Sequence, residues 1–73
     1  MKNEVVMYFE YEVIDGEEYP VKQYMRTQID NLAHNVGTTV KTLRERISRK
    51  LYFKDKPTRI YGIDSNDNMK RLV

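Results

Sequence analysis

The sequence contains no cysteine and no tryptophan, and it has 3 glycines, 2 prolines and 1 histidine among 73 residues. Without cysteine the chain forms no disulfide and offers neither a thiolate metal ligand nor a thiol nucleophile. The low content of proline and glycine, with 40% hydrophobic and 33% charged residues, is typical of a folded domain rather than of a disordered chain. No apolar run approaches the roughly 20 residues of a membrane-spanning helix.

Signatures of catalysis are missing as well. The sequence has no glycine-rich phosphate loop and no arrangement of nucleophile and base, and 73 residues are too few to wall a substrate pocket on all sides. We therefore expect a protein that is not an enzyme, with no cofactor, no metal site and no small-molecule substrate. The first four residues lack the charged and then apolar pattern of a secretion signal, so we expect a cytoplasmic protein without a membrane partner.

Charge is distributed unevenly along the chain, although the net charge is +2. Residues 1–20 contain six acidic residues and one basic residue, whereas residues 41–59 contain eight basic residues and two acidic ones. A basic segment of this kind favours a polyanionic partner. The alternative is a solvated helix face that binds nothing, and charge by itself does not separate the two.

The segment 1–24 has the pattern of a β-hairpin. Apolar side chains alternate along Val5–Ile14, Asp15-Gly16 is a turn signal, and a second extended stretch follows. A three-residue loop with Gly16 in the left-handed conformation would bring the apolar side chains of both strands onto one face, so we predict that loop. The side chains concerned are Phe9, Tyr11, Tyr19 and Val21. Pro20 then indicates an edge strand.

The segment 27–51 has the period of two helices. The apolar stripe of the first helix is Ile29, Leu32, Ala33 and Val36, and that of the second is Val40, Leu43, Ile47 and Leu51. Thr27 is the expected N-cap of the first helix, Gly37 the left-handed residue after it, and Thr39 the start of the second helix. In the remaining segment, 52–73, Arg59–Ile63 is a predicted strand, and Met69–Val73 returns as a second strand or frays.

The stretch 29–48 resembles the twenty-residue helix-turn-helix of bacterial and phage transcription regulators. That family has a small residue at the fifth position, where the helices cross, and a glycine at the ninth, where the backbone turns. Ala33 and Gly37 occupy these positions here. The apolar positions of the family are filled by Leu32, Val36, Leu43 and Ile47. A hairpin before a helix pair is also similar to small phage proteins and to the DNA-binding repeats of intron-encoded nucleases.

The resemblance implies an α+β protein in which residues 1–73 form one small domain. Its parts are an N-terminal β-hairpin, a helix-turn-helix and a C-terminal strand or wing-like hairpin. It also implies sequence-specific binding of double-stranded DNA by a small transcriptional regulator or recombination accessory factor, with a symmetric homodimer on a palindromic site as the expected assembly.

The resemblance also implies which residues touch DNA. Those that would face the base edges are Thr39, Val40, Lys41, Arg44 and Glu45, and Arg44 suits a bidentate contact with guanine. Those that would bind backbone phosphates are Arg26, Gln28, Arg49, Lys50, Lys54, Lys56 and Arg59.

Three other interpretations remain open. A packed helix pair that binds no nucleic acid also favours alanine and glycine at these positions. A small phage-type inhibitor or adaptor would use the acidic N-terminal hairpin as its interaction surface. A protein that binds single strands or RNA would use aromatic side chains of the sheet, with Tyr52 and Tyr61 as contacts.

Overall fold

The structure is a computed structural model that describes residues 4–53 and 56–73. Its elements are β1 (Val5–Ile14), β2 (Glu17–Met25), a 3₁₀ turn (Arg26–Gln28), α1 (Ile29–Asn35), α2 (Val40–Arg49), β3 (Thr58–Asp64) and β4 (Met69–Arg71). The strands form an antiparallel sheet in the order β2-β1-β3-β4. The α+β class predicted from the sequence is confirmed. Among residues 4–53 and 56–73, no helix is long and apolar enough to cross a membrane.

The C-terminal strands are arranged differently from the predicted sequence of hairpin, helix-turn-helix and wing. β3 pairs with β1, from Glu12 opposite Thr58 to Val5 opposite Asp64, so the two ends of the chain share one sheet. β4 then pairs with β3 at the edge. The predicted wing-like form of the C-terminal segment is therefore wrong, whereas the predicted strand Arg59–Ile63 is confirmed within β3. The physical reason is that a two-stranded hairpin is marginal in water, and pairing with β3 satisfies the second row of backbone groups on β1.

The turn of the first hairpin has two residues, so the predicted three-residue loop is wrong. Ile14 pairs with Glu17, and the two residues between them, Asp15 and Gly16, both have positive φ, 52° and 82°. Asp-Gly is a preferred dipeptide for such a turn because its backbone twist matches the twist of the flanking strands. The position of the turn at Asp15-Gly16 is therefore confirmed, but the strands pair in a different register from the one predicted.

A β-bulge in the middle of the hairpin shifts that register again. Phe9 consequently pairs with Gln23 rather than with the predicted Val21. The side chains of Tyr19 and Val21 are 46% and 53% exposed, so the predicted single apolar face does not form. β2 is an edge strand, as the presence of Pro20 indicates.

The N-cap of α1 lies one residue later than predicted. Gln28 is the N-cap residue, and the chain at Thr27 belongs to the 3₁₀ turn, so the predicted N-cap at Thr27 is wrong. The side-chain oxygen of Gln28 accepts a hydrogen bond from the backbone N–H of Met25 at 2.9 Å. This bond closes the 3₁₀ turn that connects β2 with α1.

The predicted start of α2 is confirmed, but its apolar stripe is shorter than predicted. The hydroxyl of Thr39 accepts a hydrogen bond from the backbone N–H of Thr42 at 3.2 Å, which is the usual N-cap bond. At the other end Lys50 adopts the left-handed conformation, with φ of 56°, and terminates the helix. Leu51 therefore lies beyond α2 and is 47% exposed, so its predicted place in the stripe is wrong.

Both helices pack on one face of the sheet. The buried core consists of Tyr8, Tyr24, Ile29, Leu32, Ala33, Val36, Leu43, Phe53, Ile60, Leu72 and Val73. It includes the complete predicted stripe of α1, which is confirmed. The hydroxyl of Tyr24 donates to a carboxylate oxygen of Glu10 at 2.8 Å and accepts from the side-chain amide of Asn35 at 2.8 Å. These bonds tie the end of α1 to the sheet.

The other face of the sheet is not covered by any element within 4–53 or 56–73. Successive side chains of a strand point to opposite faces, so the neighbours of the buried Tyr8 and Ile60 lie on this side. We call this surface the open face. The residues that the registers place on it are Met7, Phe9, Tyr11, Val13, Glu18, Pro20, Gln23, Met25, Arg59, Tyr61, Ile63, Met69 and Arg71.

Candidate nucleic-acid interface

A glycine turn sets the geometry between the two helices. Gly37 has a φ of 79°, which confirms the left-handed conformation predicted for it. Its backbone N–H donates to the carbonyl of His34 at 3.1 Å, and the N–H of Thr38 donates to the carbonyl of Ala33 at 2.9 Å. This pair of bonds is a Schellman motif, which satisfies the last carbonyls of α1. Ala33 itself is 1% exposed.

The inward side of α2 is apolar and the outward side is polar. Leu43 is fully buried, and Val40 and Ile47 are half-buried against the core. A helix places residues three and four positions apart on the same side, so these three side chains define the inward direction. The exposed residues of the helix are Lys41, Thr42, Arg44, Glu45, Ser48 and Arg49. The basic residues therefore extend around the solvent side of a helix whose position is set by Leu43.

The residues predicted to face DNA bases differ in how far they are exposed on α2 and in whether their side chains are already engaged within the protein. Lys41 and Glu45 point away from the sheet, and Glu45 forms an exposed ion pair with Arg49 at 3.4 Å. Thr39 uses its hydroxyl as the cap of α2. Val40 is half-buried against the core, which leaves part of its side chain for an outside contact.

Arg44 lies on one flank of α2 rather than at its outermost point. It lines a groove of about 620 Å³ together with Tyr8 and the 3₁₀-turn residue Arg26. Burial raises the pKa of Tyr8, and the positive charges of Arg44 and Arg26 partly oppose this effect. Arg26 is also ion-paired with Glu4. The structure thus brings two predicted DNA contacts, Arg26 and Arg44, to the same groove.

On the other flank of α2, two cations surround one aromatic ring. The guanidinium of Arg46 lies 5.1 Å and the ammonium of Lys56 lies 5.6 Å from the centre of the Phe53 ring. The ammonium of Lys56 also donates to the carbonyl of Val36 at 2.7 Å, at the end of α1. Lys56, which the sequence predicts as a phosphate contact, therefore helps to support the turn between the helices.

Arg46 belongs to the basic surface, although it is not among the DNA contacts predicted from the sequence. Its position in α2 is on the flank, between the buried side and the outward side. The signal that could have found it is the spacing from Leu43, which places residue 46 beside the apolar stripe. Its partner Phe53 follows the end of the helix, and no helical period extends to that residue.

The remaining predicted phosphate contacts are spread over the molecule. Arg49 and Lys50 lie at the C-terminal end of α2 and are exposed. Gln28 uses its side chain to close the 3₁₀ turn. Arg59 lies in β3 on the open face, on the opposite side of the sheet from the helices. Lys54 lies outside the described residues.

The helix layer is basic overall. α2 carries Lys41, Arg44, Arg46 and Arg49 against Glu45. Lys50, at the C-terminal end of α2, and Lys56, beside the turn between the helices, add to this charge. Within the described parts of the chain, no group of three or more histidine, aspartate or glutamate side chains could hold a metal ion. The arrangement is chemically suited to holding a polyanion by charge and hydrogen bonds.

In comparisons with protein-family models, with curated proteins and with solved structures, nothing matches this chain.

Proposed function

We propose that this protein binds double-stranded DNA through the outward side of α2. It would act as a helix-turn-helix protein, either a small transcriptional regulator or a recombination accessory factor. The observation that carries the proposal is that Leu43 anchors α2 in the core while Lys41, Arg44 and Arg49 remain exposed. An α-helix with its side chains is about 10–12 Å across, which suits a major groove that is about 12 Å wide.

In this proposal the N-terminal half of α2 lies against base edges, as recognition helices do. Lys41 and Arg44 are the residues that we assign to base readout, because a guanidinium group such as that of Arg44 can make a bidentate contact with guanine. Arg49 and Lys50 lie at the other end of the helix and would contact phosphates, which adds affinity without reading sequence. The pair between Glu45 and Arg49 would hold the guanidinium of Arg49 at the side of the groove.

Selection of bound duplexes from a random pool, followed by sequencing, would identify the DNA site. Fluorescence anisotropy with a short duplex that accommodates one copy would then measure the effect of each variant. Arg44→Ala should weaken binding by about 1–3 kcal/mol and relax the choice at one base pair. Arg49→Ala should weaken binding to all duplexes alike and lower the salt slope by about one.

Arg59→Ala is the matched control, because it removes an arginine from the open face across the sheet from α2. It should leave binding to the short duplex unchanged. If the chain binds no duplex at low salt, or if Arg44→Ala and Arg59→Ala have the same effect, α2 is not a recognition helix.

A further inference from the structure

The open face is more apolar than the exposed side of an antiparallel sheet usually is. Such a sheet normally alternates apolar side chains toward the core with polar ones toward solvent. Here the two central strands present Met7, Phe9, Tyr61 and Ile63 on the side away from the helices. Met25 and Met69 continue this surface toward the two edges and are 55% and 45% exposed. Contiguous apolar surface of this kind marks an interaction site.

The residue types favour a protein partner over a nucleic acid. Aromatic residues, methionine and arginine are enriched in the centre of protein interfaces, and lysine is depleted there. A binder of single strands needs a strongly positive groove beside its aromatic rings. The open face instead carries two arginines, Arg59 and Arg71, beside the acidic Glu18. The carboxylate of Glu18 accepts a hydrogen bond from the Tyr61 hydroxyl at 2.8 Å. The strongly basic surface of the molecule is on the helix layer.

The placement of these charges favours a second copy of the same chain. Glu18 lies on β2, at one side of the apolar surface, and Arg59 lies on β3 toward the other side. A two-fold axis parallel to the strands would stack two open faces with β2 of one copy over the β3–β4 side of the other. Each Glu18 would then approach the partner's Arg59. The surface is self-complementary, as an isologous interface requires.

The available area is compatible with a specific but modest dimer. Strands lie about 4.8 Å apart and rise about 3.3 Å per residue, so each strand residue covers about 16 Å² of the sheet. For the residues of β1 to β4 together, the open face therefore presents roughly 500 Å² per copy. The total of about 1,000 Å² is at the lower limit for specific interfaces. We propose that the open face is the interface of a face-to-face homodimer.

The proposed dimer has a consequence for DNA binding, which rests on the function proposed above. The outward side of α2 points away from the sheet, because Leu43 is buried on the inward side. Stacking two open faces therefore places the two α2 helices on opposite outer surfaces of the dimer. Such a dimer would hold two duplex segments at once rather than two adjacent half-sites on one side of a duplex.

Sedimentation equilibrium of the full chain over about 1–300 µM tests the interface. The wild-type protein should show a reversible monomer–dimer equilibrium. Met25→Lys and Met69→Lys should raise the dissociation constant at least about tenfold, because they bury an unpaired charge. Leu51→Lys is the matched control: Leu51 is 47% exposed, close to the 45% of Met69, but lies on the helix layer. Circular dichroism establishes that each variant is folded.

A charge exchange tests the orientation. Glu18→Arg and Arg59→Glu should each weaken self-association, and mixing the two variants should restore it in a heterodimer. An effect within one chain would not be rescued by mixing. Glu18→Arg and Arg59→Glu should leave binding to a short single duplex unchanged. The wild-type dimer, which would hold two duplexes at once, should give energy transfer between two differently labelled duplexes, and Met69→Lys should abolish it.

A chain that stays monomeric at all concentrations overturns the dimer, and so does self-association that Met25→Lys and Met69→Lys leave unchanged. Binding of a single-stranded oligonucleotide that these variants abolish in a monomeric chain would assign the open face to nucleic acid instead. Dimerisation without duplex binding would leave the interface standing and refute the DNA proposal, so the two proposals fail separately.

Discussion

Replacing Gly37 with alanine tests the turn that holds the two helices together. Gly37 has a φ of 79°, a conformation in which a side chain costs about 1 kcal/mol. A Cβ at this position would also lie 3.3 Å from the ammonium of Lys56. That ammonium donates to the carbonyl of Val36 at 2.7 Å, so moving it by a few tenths of an ångström weakens the bond. A charge-assisted hydrogen bond contributes about 1.5–3 kcal/mol, and part of this would be lost.

The chain contains a matched control for the backbone effect. Gly16 has nearly the same φ, 82°, but a Cβ there would have nothing within 4 Å. Gly16→Ala should therefore cost about 1 kcal/mol, and Gly37→Ala about 2 kcal/mol. In a domain of this size a difference of 1 kcal/mol corresponds to about 4–8 °C in Tm.

Urea denaturation followed by circular dichroism measures both variants. A third experiment repeats Gly37→Ala in a Lys56→Met background, where the contact with the ammonium is absent and the cost should equal that of Gly16→Ala. The reasoning is refuted if Gly37→Ala and Gly16→Ala cost the same in the wild-type background. It is also refuted if Lys56→Met leaves the difference between them unchanged.

Three further substitutions test the cap, the sheet and the core. Thr39→Ala should lower the free energy of unfolding by about 1 kcal/mol in urea denaturation, because α2 loses its N-cap bond, and an unchanged midpoint would contradict that cap. Gly62→Ala would place a Cβ 2.8 Å from Leu72 Cδ1 and should cost about 1–3 kcal/mol by overpacking. A stabilising effect would mean that the C-terminus does not pack there. Tyr24→Phe should cost about 1–2 kcal/mol, since its hydroxyl joins β1 to Asn35. Burial raises the pKa of Tyr24 above its ordinary value of 10.0, so the folded state holds this proton more tightly than the unfolded state. Its contribution is complete below pH 10 and is lost as pH rises through the raised pKa, and melting curves should show a smaller alkaline loss for Tyr24→Phe than for the wild type. An equal alkaline loss in the two proteins would contradict this assignment.

Features that depend on residues within about four positions could be predicted from the sequence. The left-handed Gly37, the cap at Thr39 and the buried stripe of α1 are of this kind, because helix ends and helix faces are set by local backbone bonds and a short period. The exposed basic residues of α2 follow from the same period once Leu43 faces inward. The main elements of the candidate interface were therefore accessible before the fold was known.

The register of the β1–β2 hairpin could not be predicted from neighbouring residues. Asp15-Gly16 identified the position of the turn, but the register depended on a two-residue turn and on a bulge further along the strands. The bulge added one residue on β2, and this changed the partner of Phe9. A register changed by one residue moves side chains to the other face, so a small error in the turn altered the whole predicted face.

The sequence by itself determined the helix pair, its turn and its basic side, since these depend on neighbouring residues. Tertiary structure decided which side of β1 the helices cover. The buried side is that of Tyr8, and the more apolar side of Phe9 is left open. It also separated Arg59 from the other basic residues by pairing β3 with β1. These outcomes join distant parts of the chain, and no local period or spacing encodes them.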